Sequence, residues 1–240
     1  MKQTDTSLHT KPTSWYNRRI GDIVVLLPQA STLFRSSDVD FCCGGHRTLG
    51  DALAAEGREA TELDKALDTL WQRVEAAAGQ PQTFEDMPPA DLTAHIESHH
   101  HSYLRKALPR IGELAQTVLA AHGANHPELF RVHALFGHLR TDLESHLIKE
   151  EVALFPLLLA GDPARSGEVA RLTGEIRSEH EAAGGVLREL RALTKGYTTP
   201  ADGCPTYHRF LDELSALEAD LFEHIHLENN ILLRDEEVPA

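Results

Sequence analysis

The chain has 240 residues, 41% of them hydrophobic and 25% charged, and a net charge of -14. That is the composition of a globular protein large enough for one big domain, or for a core domain with a small companion. It argues against a membrane span, because no run of about 18 to 20 apolar residues occurs. It also argues against nucleic acid as a partner, because 37 acidic residues outweigh 23 basic ones and no basic patch is visible.

The N-terminal segment has no apolar stretch of signal-peptide type, so export is not expected. Residues 1–17 are polar and read as disordered. Residues 18–78 read as a small domain of short helices, broken at Pro28, at Gly44-Gly45 and near Gly57. Within it Leu63, Ala66, Leu67, Leu70, Trp71 and Val74 recur in steps of three and four, which is the helical period. Residues 79–90, with Gly79, Pro81, Pro88 and Pro89, read as a linker. Asp91 is a natural N-cap for the next helix.

Four long segments of helical period fill residues 91–236, over 91–122, 127–160, 164–195 and 205–235. The breaks at 123–128, 160–167 and 195–205 all carry Gly and Pro and are short enough to join antiparallel neighbours. Strand signals are nearly absent. The expected fold is all-α: an antiparallel up-down-up-down four-helix bundle behind a small helical domain.

Histidine is the anomaly, with 15 residues. His146 to Glu150 and His224 to Glu228 are both His-x-x-x-Glu, which sets an imidazole and a carboxylate one turn apart on one helix face. His101 precedes His146 by 45 positions, and His180 precedes His224 by 44. A lone pair of this kind is usually a solvated i,i+4 contact. The repetition, with a matched upstream histidine each time, instead points to six side chains at one level of the bundle.

Four imidazoles and two carboxylates suit a dinuclear transition-metal site without thiolate, with iron favoured over manganese or zinc. Two six-coordinate ions offer about twelve positions, and this set with an oxo or hydroxo bridge fills about ten. About one position per ion is left for a small diatomic ligand. His99 and His100 stand beside His101 and remain alternatives to it, although both fall off its expected helix face. His138, two turns before His146, is an outer candidate. His226 has no patterned partner.

Cys42 and Cys43 are adjacent and followed by two glycines, while Cys204 lies in the last interhelical loop. Three such thiols are no disulfide scaffold and fit a reducing cytoplasm. The adjacent pair is read either as thiols exposed to oxidants, nitric oxide or a client cluster, or as two small buried residues at a turn. Cys204 is read as incidental.

With these residues in view the sequence resembles the di-iron iron–sulfur cluster repair proteins, which set a hemerythrin-like bundle behind a short N-terminal domain. The resemblance covers roughly residues 18–236. It rests on Asp40-Phe-Cys-Cys-Gly-Gly45, Ser145-His-Leu-Ile-Lys-Glu-Glu151, Leu154-Phe-Pro156, Ser178-Glu-His180 and His224-Ile-His-Leu-Glu-Asn-Asn230. It implies that His101, His146, Glu150, His180, His224 and Glu228 bind two non-haem irons through an oxo or hydroxo bridge, with both glutamates bridging. It implies a role in the nitrosative and oxidative stress response, in which iron is donated to damaged clusters of iron–sulfur client proteins. Cys42 and Cys43 would then serve client contact.

The alternative is binding, scavenging or reduction of nitric oxide at the same site, so whether the chain is an enzyme stays open. Members often carry a second histidine where Leu104 stands. With four patterned histidines rather than five, a plain oxygen carrier is disfavoured. For assembly the lean is towards a homodimer.

Overall fold

A computed structural model describes residues 11–77 and 84–234. The expected linker falls partly outside the described residues, over 78–83, as do residues 1–10 and 235–240. The described chain forms two compact units, one over 89–224 and the other over 11–77 with 84–88 and 225–234. The division falls inside the last helix, between His224 and Ile225. Both units are helical. No strand occurs among the described residues; one isolated antiparallel bridge joins Arg19 and Thr48.

The first unit holds α1 (Ile20–Leu26), α2 (Ala30–Ser36), α3 (Leu49–Ala55) and α4 (Thr61–Ala76), with a 3-10 turn over Gly44–His46. In α4 the predicted stripe is the buried one, with Leu63, Leu67 and Trp71 facing inward at every fourth position. Thr48 caps α3 by accepting the Asp51 N–H at 3.1 Å.

The expectation of disorder over 1–17 is corrected in its last part. Trp15 is fully buried and its ring lies 6.0 Å from that of Trp71. Its main-chain N–H donates to Asp64 at 2.8 Å and its indole N–H to Asp68 at 2.9 Å. One large aromatic with a satisfied polar edge is enough to tie a polar segment down.

The second unit is the bundle. Its first helix is α5 (Pro89–Ile96), a π turn over Glu97–His101, and α6 (Ser102–His122). The second is α7 (Glu128–Lys149), a π turn over Glu150–Leu154, and α8 (Phe155–Ala160). The third is α9 (Ser166–Leu193), and the fourth is α10 (Pro205–Leu227), which continues as a π turn over Glu228–Leu232. Proline opens α5, where Asp91 proves to lie in the first turn rather than at the cap. Gly161 closes α8 in the left-handed region. The core joins Leu104, Leu108 and Ile111 of α6 to Leu139 and Leu143 of α7, Leu187 and Leu190 of α9, and Leu214 and Leu221 of α10. The four-helix expectation is met, and the π turns are the feature that hydrophobic periodicity did not show.

In the first unit the end of the last helix packs on the double-cysteine segment. Asn230 donates to the carbonyls of Phe41 and Cys42, both at 3.3 Å. A Cβ on Gly21 or Gly45 would come within 2.3 or 2.5 Å of the Asn230 side-chain Oδ1, so any larger residue at either position would displace the Asn230 amide. His226 is buried there, its ring edge-on to Phe41 at 5.9 Å. Burial pulls its pKa down to about 4, against a hydrogen bond with the Phe41 backbone that favours the proton.

The unfolded chain takes up this proton near pH 6.5, while the folded chain resists it until about pH 4. His226 therefore supports the fold fully above pH 6.5, and that support is lost as pH falls towards 4. Urea unfolding of metal-free protein should lose up to about 3 kcal/mol from this residue across that window. His226→Gln should flatten the profile relative to wild type. Parallel profiles for the two proteins would refute it.

Candidate metal centre

All six residues predicted from the repeat are buried, and Glu150, Glu228, His101 and His224 are at 0% exposure. They form two groups of potential ligands: His101, Glu150, His224 and Glu228, and His146, Glu150, His180 and Glu228. Within each group the ligand atoms lie within 4.8 Å of one another. Both carboxylates belong to both groups, as bridging ligands must.

The two oxygens of Glu150 divide the work. Its Oε2 lies 3.3 Å from His101 Nε2 and 4.0 Å from His224 Nε2, and its Oε1 lies 3.3 Å from His146 Nε2. His101 and His224 approach through their Nε2 atoms at 3.2 Å, and the rings of His146 and His180 lie 4.9 Å apart. Borderline nitrogen donors with shared hard oxygens suit a divalent first-row transition metal, and each group can hold one ion.

The π turns explain how the ligands meet. His101 ends the first, Glu150 begins the second, and Glu228 begins the third. A π turn spaces its hydrogen bonds i to i+5, so one extra residue is accommodated and the helix face rotates locally. Pro156 comes just after the second turn, where the widened ladder tolerates a residue that cannot donate.

The same widening brings His100 inward, which corrects the expectation that it falls off the face. His100 is buried, its ring stacks on His224 at 5.4 Å and 4°, and its Nδ1 contacts Asp220 at 2.9 Å. His101, not His99 or His100, belongs to the donor groups. His138 is exposed on α7.

Two carboxylates that the pattern did not mark position the ligands. Glu151 accepts from His101 Nδ1 at 2.7 Å, and Glu179 accepts from His146 Nδ1 at 2.8 Å. Each such bond fixes the imidazole so that Nε2 faces the centre. Each carboxylate is held in turn by a cation: Glu151 by both oxygens to Arg105 at 2.7 Å, and Glu179 by Lys149. Burial pushes both carboxyls up, but hydrogen bonds from the cation and the histidine outweigh it, so both stay below the usual carboxylate range. Their signal in the sequence is slight: one comes directly after Glu150 and the other directly before His180.

The two readings of the adjacent cysteines divide between them. Cys42 is buried, Cys43 is half-buried, and their sulfurs lie 3.7 Å apart without a bond. Asp40 accepts the main-chain N–H of both, at 3.2 and 2.9 Å, and the Cys42 thiol at 3.3 Å. The hydrogen bond to Cys43, burial and the Asp40 charge all push Cys42 well above the usual thiol range, so it is not the exposed, reactive thiol that adjacency suggests. Asp40, Cys42 and Cys43 still form a compact donor group. Cys204, incidental by its sequence pattern, is the activated thiol. A hydrogen bond with His122 and the N–H groups of Tyr207 and Thr206 at the start of α10 bring it down to about 7.

The bundle and its donor set define a class, the hemerythrin-type cation-binding proteins. Residues 92–235 match the hemerythrin HHE cation binding domain, and residues 16–70 match a domain of unknown function, DUF542. The chain is 33% identical over 222 residues to the iron–sulfur cluster repair protein YtfE of Edwardsiella ictaluri, covering 91% of this chain and 96% of the relative. It is 32% identical over 220 residues to YtfE of Yersinia pseudotuberculosis, covering 90% and 95%. It is 32% identical over 219 residues to a probable iron–sulfur cluster repair protein of Haemophilus influenzae, covering 91% and 96%. The chain belongs to the iron–sulfur cluster repair family. Among the described residues no helix is long and apolar enough to cross a membrane.

Replacing Glu179 by Gln leaves the ligands in place but removes the charge that orients His146. Metal affinity, measured by competition with a chromophoric chelator, should fall about 10- to 100-fold while helicity is unchanged. Unaltered affinity would show that the Glu179 contact does not position the ligand.

Proposed function

We propose that the chain is an iron–sulfur cluster repair protein of the nitrosative and oxidative stress response, donating iron from a labile dinuclear centre. The observation that carries this reading is the pair of buried donor groups sharing Glu150 and Glu228. His101 and His224 would hold one ion and His146 and His180 the other, with Glu150 and Glu228 spanning both. Iron held there supplies transferable ferrous ion and positions able to take nitric oxide. The repair function named for the relatives supports the same reading.

The residues make release feasible. No thiolate belongs to either group, and nitrogen and oxygen donors hold ferrous iron less tightly than sulfur does. Glu151 and Glu179 keep the Nε2 atoms of His101 and His146 aimed inward as an ion leaves, so the emptied position stays organised for the next. The α6 and α7 core holds the helix spacing through the cycle. The recipients would be iron–sulfur client proteins. Of the motif thiols, Cys43 is the one open to contact with them. Three free cysteines accord with a cytoplasmic site of action.

A second reading, nitric oxide binding or reduction at the same centre, is favoured by the donor count. Four imidazoles and two carboxylates leave positions unfilled on two ions.

Protein purified without oxygen should contain about two irons per chain. Glu150→Ala should lose that iron while circular dichroism still reports a helical bundle. Addition of an apo iron–sulfur acceptor should draw iron from wild type and rebuild the acceptor cluster. Retention of the iron as a nitrosyl that transfers nothing would favour the second reading. A single zinc or no metal would overturn both.

A further inference from the structure

Away from the buried centre, the bundle brings together two groups that the repair reading does not use. His122 is the last residue of α6, and Cys204 directly precedes α10. They are far apart in the chain, yet their side chains share a hydrogen bond. Cys204 also holds the cap position of α10. Its carbonyl accepts the His208 N–H at 3.0 Å, the first bond of the helix, and its sulfur accepts from the N–H groups of Thr206 and Tyr207. A neutral thiol is a weak acceptor and a thiolate a strong one. The imidazole, the two N–H groups and the helix dipole therefore all favour the ionised sulfur.

The surroundings leave that effect in place. Tyr207 is buried and walls the pair, its ring 5.3 Å from that of His122. Two carboxylates stand at the same end of the bundle, Asp202 before Cys204 and Glu128 at the start of α7. Both are engaged by a second imidazole, that of His126, at 3.0 and 3.2 Å. Cys204 itself is half-buried rather than enclosed.

The geometry points to Cys204 as a nucleophilic thiol, paired with His122, that exchanges with small-molecule disulfides. The Cys204 thiolate attacks one sulfur of the disulfide and the sulfur–sulfur bond breaks. The other half leaves as a thiolate and takes a proton from water. The Cys204 sulfur is oxidised and the departing sulfur is reduced by the same electron pair. An attacking thiol is best matched when it titrates near the ambient pH: a more acidic one is a poorer nucleophile, and a less acidic one is mostly protonated. Cys204, brought to about 7, meets that condition. The bundle unit, residues 89–224, holds no second cysteine. Removal of the adduct therefore falls to a thiol from outside that unit, and the mixed disulfide is a reversible mark of the small-thiol redox balance. This inference stands independently of the metal centre.

The test treats full-length protein with 2-hydroxyethyl disulfide, an uncharged probe, over a series of pH values. Samples are quenched in acid, and the modified fraction of each cysteine is read by peptide mass mapping. At pH 7 Cys204 should react faster than Cys42 or Cys43, and its rate should be half-maximal near pH 7. Dithiothreitol should restore the unmodified mass. His122→Gln should raise the midpoint and slow the reaction at pH 7 several-fold, with helicity unchanged. The wild-type profile decides even where that variant fails to fold. A Cys204 midpoint in the ordinary thiol range, above about pH 8, or modification confined to Cys42 and Cys43, overturns the proposal. A folded His122→Gln variant with the wild-type profile overturns the pairing.

Discussion

The rest of the structure depends on a buried carboxylate between two imidazoles. Glu150 has no exposure and reaches His101 with one oxygen and His146 with the other. Glu228, equally buried, belongs to the same donor groups. Two carboxylates taken out of water at this separation cannot both carry charge unless cations neutralise them, because burial and mutual repulsion act in the same direction. The four histidines can donate protons or accept a metal. A metal ion bound there would satisfy the nitrogen and oxygen donors together. The bundle is built around a charge deficit, and the leucine layers of α6, α7, α9 and α10 supply the stability that such a deficit withdraws.

The same requirement explains the departures from ideal helix. A regular α-helix would carry His101, Glu150 and Glu228 past the centre at the angle set by 3.6 residues per turn. Three of the four bundle helices open into π turns at these residues, and α9, which contributes only His180, runs unbroken over Ser166–Leu193. Each π turn weakens local hydrogen bonding. They coincide with inward donors on three separate helices: His101, Glu150 and Glu228.

How far the molecule is legible in its sequence depends on which interactions are periodic. The four helices, their breaks at Gly and Pro, and the six inward donor side chains can be read because burial and i,i+4 spacing leave a pattern in one dimension. Glu151 and Glu179 leave none. They act across helices, on His101 and His146, and any acidic residue on a charged helix face looks alike in sequence. His100 is misplaced because periodicity assumes an α-helix where the chain makes a π turn. Trp15 is lost in a polar segment, since one buried aromatic has no period. The cysteines leave two readings open in sequence, reactive thiols or buried residues at a turn: the Cys43 hydrogen bond, burial and Asp40 favour the thiol form of Cys42, while His122 and the start of α10 lower the unpatterned Cys204.

Around the centre, charge alternates outward. Buried carboxylates face imidazoles, two of the imidazoles lean on Glu151 and Glu179, and those lean on Arg105 and Lys149 at the surface. Each layer fixes the orientation of the next by hydrogen bonds to charged groups, which are stronger and more directional than neutral ones. The layers are also graded in exposure, from Glu150 at 0% through Glu151 at 24% to Arg105 at 50%. Such a gradient suits a frame that stays formed with or without an ion. The outer pairs are solvated enough to stay formed, so loss of the metal leaves aimed ligands rather than a collapsed core. A tightly closed site would instead couple metal release to unfolding of the helices that carry the ligands. Here the apolar core and the outer ion pairs hold the frame independently of the inner donors.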